Sequence, residues 1–172
     1  ISTESVAGEA VNGSIPADRK LRENELDFGQ NLDNKYANSK FMAEAAIIRE
    51  IPGGLRAKII RVGNLMSRDS DGEFQINYGT NSSMGRLNIY ALLGVCPYEQ
   101  LDVPMEFSPI DEVAKAILLL AQTPRECVLF HPYNHNTVLS ANVFSEMGKL
   151  GLPVRPVERE EFDEEMRKAE ED

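Results

Sequence analysis

The chain has 172 residues, 42% hydrophobic and 27% charged, the make-up of an ordinary globular domain or of part of a larger one. Its formal net charge is −10, and the stretch from Glu158 to Asp172, with nine acids against three bases, holds most of that excess. No apolar run is long enough to cross a bilayer, and no basic stripe with interleaved aromatics is present, so neither a membrane nor a nucleic acid is an expected partner.

In chain order, "ISTESVAG" (residues 1–8) reads as the end of a strand running into a loop, so the chain is expected to be cut from something longer. A polar stretch rich in Gly, Asn, Asp and Arg follows to about Gln30. The Ala-rich segment 33–51 predicts a helix, with Asp33 or Asn31 as its N-cap and "PGG" as an abrupt stop. "RAKIIRVG" is a short β-branched run, expected as a buried strand ending at Gly63. Helix followed by apolar strand points to an α/β unit.

Residues 64–86 carry many turn formers and predict a loop, followed by a helix over roughly 83–94. In "MEFSPIDEVAKAILLLAQTP", Ser108 can cap, Pro109 suits the first helical position, and Asp111 and Glu112 lie in the first turn. Val113, Ala114, Ile117, Leu120 and Ala121 recur at helical spacing as a core face, and Pro124 closes the element. "CVLFHPY" predicts a buried strand in which Cys127 packs. "SANVFSEMGKLG" predicts a helix, "PVRPVE" a short extended piece, and the acidic end a last helix with a solvated face. Cys96 and Cys127 lack metal-type spacing and require no oxidising compartment, so a cytoplasmic location is the default. His131 and His135 have no cysteine or carboxylate at ligand spacing, and no metal is expected.

The chemistry centres on Tyr36 and Lys40 in "YANSK". Four residues apart on a helix, they share one face. A free phenol, with a pKa near ~10, is a poor acid at neutral pH, and a neighbouring ammonium eases its ionisation. The lysine stem can also reach a ribose hydroxyl on the same face. The motif alone is weak, since about 0.2 chance matches are expected in a chain of this composition, and an exposed helix pair is the alternative. Upstream, Thr3 stands at a strand end, where its hydroxyl can donate to a substrate carbonyl oxygen or bond its own backbone. Downstream, "IIRVGNL" ends a strand on glycine, which lets backbone approach a flat ring closely.

Together, Thr3, "YANSK" and "IIRVGNL" resemble the C-terminal half of an extended short-chain dehydrogenase/reductase. "GNLMSRDSDGEFQIN", "FSPIDEVAKAI" and "LFHPYNHNTV" resemble, more narrowly, the thioester reductase domain at the end of non-ribosomal peptide synthetases. The resemblance covers most of residues 1–140. It implies an α/β fold: the C-terminal part of a Rossmann-like doubly wound sheet plus a small substrate-binding α/β portion, with the glycine-rich N-terminal half absent. Residues 1–65 are then expected to hold the Thr/Tyr/Lys set. Residues 66–172 are expected to be mainly substrate-binding, with a helix and strand able to return to the main sheet.

By the same resemblance, Thr3 is the catalytic hydroxyl, Tyr36 the proton donor and Lys40 its helper. Tyr36, Lys40, Val62, Gly63, Asn64 and Leu65 contact the cofactor, expected as NADPH. Phe74, Gln75 and Asn77 border the acyl pocket, or are loop-packing residues. The substrate is a thioester on the phosphopantetheine arm of an acyl or peptidyl carrier domain, within a multidomain synthetase, and the product an aldehyde or, after a second reduction, an alcohol. One departure is large: no glycine-rich turn for a pyrophosphate occurs in the sequence. The stretch by itself is therefore expected to bind NADPH weakly or not at all and to be inactive alone. Two other readings stay open: an extended reductase or epimerase acting on a nucleotide sugar, and a non-catalytic remnant or docking module.

Overall fold

The computed structural model describes residues 1–8 and 20–171. The polar stretch foreseen between "ISTESVAG" and Gln30 lies partly outside the described residues. The elements run β1 (Ser2–Thr3), α1 (Lys35–Glu50), β2 (Ile59–Val62), β3 (Leu65–Met66), α2 (Ser82–Leu93), β4 (Val95–Pro97) and β5 (Pro104–Glu106). They continue with β6 (Ser108–Pro109), α3 (Ile110–Leu120), β7 (Leu129–Phe130), β8 (Thr137–Leu139), α4 (Ser140–Lys149), β9 (Arg155–Val157) and α5 (Arg159–Glu171). Two compact units result, one from Ile1–Ser70 with Ser108–Tyr133, the other from Asp71–Phe107 with the segment from Asn134 onward.

In the first unit β1, β2 and β7 form a parallel sheet with β2 in the centre. Ser2 lies opposite Arg61 and Thr3 opposite Val62, while Ile59 and Ile60 pair with Leu129 and Phe130. Parallel neighbours require a crossover, and α1 and α3 supply the helices of the two connections. All four β2 residues are buried, as expected of a central parallel strand covered on both faces. Ile60, Val62 and Val113 form the core on the α3 side, with Leu65, Ile117, Leu120 and Phe130 packed against it. Of the five α3 positions expected inside, Ala114 and Ala121 are exposed. They lie roughly 40–60° of helical turn beyond the edge of the 113–117–120 stripe.

α1 begins on Asn34, whose side chain accepts from the backbone N–H of Tyr36 and Ala37. The cap is therefore neither Asp33 nor Asn31; Asn31 instead accepts from the N–H of Asp33 in the preceding turn. Ser108 does not cap α3 either. It is fully buried in β6, where its N–H bonds the Asn64 carbonyl as β6 pairs with β3, and Pro109 takes the cap position. The strand in "CVLFHPY" is only two residues long, so Cys127 lies outside it and is exposed. Its carbonyl accepts from Lys58 Nζ.

The second unit pairs β4 with β9 in parallel and β5 with β8 antiparallel. Tyr90, Val95, Cys96, Phe144, Val157 and Phe162 form its core, with the Tyr90 and Phe144 rings edge-on at 5.3 Å. The acidic end is helical and amphipathic: Phe162 and Met166 close this core while the acids face water. β3, β4, β5, β6 and β8 were not foreseen. Each has two or three residues, too few for an alternating pattern to register, and three of them contain proline. Among the described residues no helix is long and apolar enough to cross a membrane.

Candidate active site

The C-terminal ends of β1 and β2 bring Thr3 beside Val62, followed by Gly63 and Asn64. In open parallel sheets this edge is where ligands bind. Thr3 is nearly buried and starts a 3-10 turn over Glu4–Ala7; its Oγ1 accepts from Ser5 N–H and donates to Ser5 Oγ, both at 3.2 Å. Such local bonding leaves the oxygen fixed while the proton can rotate to another acceptor.

Tyr36 stands in the first turn of α1 and is 56% exposed, open to a ligand. Lys40 lies one turn later on the same face, Nζ 5.9 Å from the Tyr36 ring centroid and donating to the Ile1 carbonyl at 3.3 Å. The ammonium is thereby tied to the entry of the strand that carries Thr3. A cavity of about 330 Å³ flanks this region, lined by Ser5, Gly8, Asn31, Asp33, Asn34 and Ala37. A Cβ on Gly8 would sit 2.3 Å from the Asn31 carbonyl, and its φ of 59° is in the left-handed region, so only glycine allows this close approach.

Asn64 and Leu65 leave β2 for β3, where Leu65 pairs with Ser108. The segment beyond is held by Asp111, whose carboxylate accepts from the N–H of Asp69 at 2.9 Å, of Ser70 at 3.3 Å and of Glu112 at 3.1 Å. These bonds, the Asp69 one foremost, lower its pKa to about 2. Phe74, Gln75 and Asn77 belong to the second unit. Gln75 donates to the Asn77 carbonyl, and Asn77 and Thr80 bond each other, all within the loop.

Sequence reasoning passed over the polar groups buried beneath α1. Glu44 and Arg61 are 2% and 0% exposed, and Arg61 Nε meets both carboxylate oxygens at 3.1 and 3.0 Å while its Nη2 lies 2.6 Å from Oε2. Ser2 Oγ donates to Oε1 of the same carboxylate. Arg61 Nη2 also donates to the Glu25 carbonyl, and Nη1 to His131 Nε2 at 3.0 Å. The His131 pKa is lowered, first by burial and then by the Arg61 cation, which keeps the ring neutral and able to accept that bond. Two signals in the sequence pointed here: the charge inside the apolar run "IIRV", and Glu44 extending the Tyr36–Lys40 spacing by another four. Among the described residues no group of three or more His, Cys, Asp or Glu is placed to hold a metal ion.

Residues 1–117 match a NAD-binding family profile described as male sterility protein. The chain is 26% identical over 167 residues to glycine betaine reductase ATRR of Emericella nidulans, spanning 91% of this chain and 12% of that protein. Among solved structures it resembles the thiolation-reductase di-domain of an archaeal non-ribosomal peptide synthetase, at 36% identity and TM-score 0.83, covering 97% of this chain and 36% of that one. It also resembles the reductase domain of the aureusimine biosynthetic cluster, at 27% identity and TM-score 0.73, over 97% of this chain and 44% of that one. The terminal R domain of the myxalamid pathway, at 24% identity and TM-score 0.80 over 98% of this chain and 40% of that one, shares the fold. The chain therefore spans less than half the length of each of these proteins. The mixed α/β architecture with parallel strands agrees with the reading of the sequence.

Proposed function

The chain belongs to the NAD-binding family described as male sterility protein, and from that premise we propose that it is the catalytic part of a nicotinamide-dependent reductase releasing a carrier-bound acyl or peptidyl thioester as an aldehyde. One observation carries the reading: Tyr36 and Lys40 share a face of α1, and Lys40 is bonded to the start of the strand that holds Thr3. The likeness to a thiolation-reductase di-domain supports a carrier-bound substrate. The donor set suits the nicotinamide–ribose end of a cofactor: an open phenol, an ammonium beside it, and a strand end passing through Gly63. Tyr36, Lys40 and Val62–Leu65 would hold that end, with NADPH the cofactor proposed.

When bound, the nicotinamide supplies hydride to the thioester carbon. Thr3 and Tyr36 donate hydrogen bonds to the carbonyl oxygen as negative charge gathers on it. For this Thr3 turns its proton away from Ser5 Oγ, while the Ser5 N–H keeps the oxygen in place. Tyr36 then gives up its phenolic proton to form a thiohemiacetal, and Lys40 stabilises the phenolate left behind. Collapse breaks the C–S bond and releases the aldehyde and the carrier thiol. The test is NADPH consumption by the intact protein with an acyl thioester on its carrier domain. Tyr36→Phe is expected to lower kcat by about 100-fold or more with folding unchanged. Full activity in that variant would remove the proposed role, and turnover of a nucleotide sugar without thioester reduction would replace the reading.

A further inference from the structure

α1 carries Tyr36, Lys40 and Glu44 at successive intervals of four, so the three lie within about 80° of arc and roughly 12 Å of axis. The first two face the candidate site; the third is sealed beneath the helix against β1 and β2. Glu44 is held by the Nε–Nη2 edge of Arg61, which lies in β2 one residue before Val62. It also takes the hydroxyl of Ser2, one residue before Thr3. A buried ion pair of this kind adds little stability over well-packed apolar residues, and its best-attested use is to fix register. Here one carboxylate indexes both halves of the site: the helix of Tyr36 and Lys40 carries it, Ser2 on the strand of Thr3 bonds its Oε1, and Arg61 bonds both oxygens. Apolar contacts alone would allow α1 to slide or roll on the sheet, whereas the Arg61 fork accepts one placement.

We propose that Glu44, held by Arg61 and Ser2, is a positioning residue that sets Tyr36 and Lys40 relative to Thr3. This rests on the reductase reading for its kinetic test, and a second readout is independent of turnover. In the intact protein, Glu44→Gln is expected to lower kcat for thioester reduction by roughly ten- to a hundredfold, as ångström-scale misplacement does. Glu44 touches neither ligand, so the KM for the thioester should stay within about threefold, while the KM for NADPH rises less than in Lys40→Met because the ammonium is displaced but not removed. The double variant with Glu44→Met and Arg61→Met separates position from stability: its melting midpoint should match or exceed that of Glu44→Gln while kcat remains low. Recovery of native kcat in that double variant would overturn the proposal, as would native kcat in Glu44→Gln.

The independent readout is the ring resonance of Tyr36 and the signal of isotopically dimethylated Lys40. Both are expected to shift in Glu44→Gln and to stay in place in Val113→Ala, a core truncation beneath α3. Unmoved signals in Glu44→Gln would refute positioning whatever the enzyme acts on. Shifted signals in a protein that reduces no thioester would uphold positioning while removing the reductase reading.

Discussion

Replacing Arg61 by methionine removes the cation from the most enclosed ion pair described in the molecule. Arg61 is 0% and Glu44 2% exposed, and three guanidinium–carboxylate contacts between 2.6 and 3.1 Å join them. In Arg61→Met the carboxylate would keep the Ser2 hydroxyl but no cation, and the Glu25 carbonyl and His131 Nε2 would each lose a donor. Breaking a buried pair by removing one partner costs roughly 3–5 kcal/mol. Against a total of about 5–15 kcal/mol for a native domain, that is about a fifth of the stability at the least. Methionine fills much of the volume, so the loss is electrostatic rather than a cavity. Two compact units need not melt together, so the assay is urea unfolding read by hydrogen exchange at the amides of Ile59–Val62. Adding Glu44→Met should return most of the loss, because the apolar pair no longer buries a lone charge. A cost below about 1 kcal/mol for Arg61→Met, the size of a surface salt bridge, would refute the burial argument.

Lys40→Met should raise the KM for NADPH and lower kcat together, since it removes both a ribose contact and the phenolate's partner; an unchanged KM would leave only the second role. The Asp111 carboxylate, with its pKa lowered to about 2, favours the folded state above its unfolded value of 3.8, and that contribution fades as pH falls toward 2. Urea midpoints of wild type and Asp111→Asn should accordingly converge between pH 4 and pH 2, and parallel curves would contradict it. His131, whose pKa is lowered by burial and by Arg61, disfavours its own protonation in the fold, with Glu23 and Glu44 opposing. Below about pH 6.5 the unfolded chain binds the extra proton, so stability falls with acidification until the folded ring titrates. His131→Asn should flatten that limb of the melting-temperature profile, and an unchanged slope would count against it.

Helix α1, strand β2 and helix α3 were legible because each carries a long periodic or β-branched signal with capping or breaking residues close by. Their exact ends were less so. Asn31, Asp33 and Asn34 are chemically equivalent caps, and only the path of the preceding turn selects Asn34. Ser108 has the chemistry of a cap and is drawn instead into β6 by the Asn64 carbonyl, a contact set by residues more than forty positions away. Tyr36 and Lys40 were readable since both lie on one helix, a local relation. Glu44 and Arg61 were passed over because their pairing is tertiary: seventeen residues separate them, and each alone resembles a surface charge. A charge inside "IIRV", a run otherwise fit for a buried central strand, demanded a buried counter-charge, and that demand is the general signal to follow.

The claim that this site moves hydride onto a thioester carbon is tested most directly by isotope transfer. The intact protein would be given an acyl thioester on its carrier domain and NADPH deuterated at the transferable C4 position, and the released product analysed by mass and NMR. An aldehyde bearing one deuterium at its carbonyl carbon, absent from a Tyr36→Phe reaction, is the predicted result. Release of unlabelled carboxylic acid, or of no product while a nucleotide sugar is converted, would contradict it.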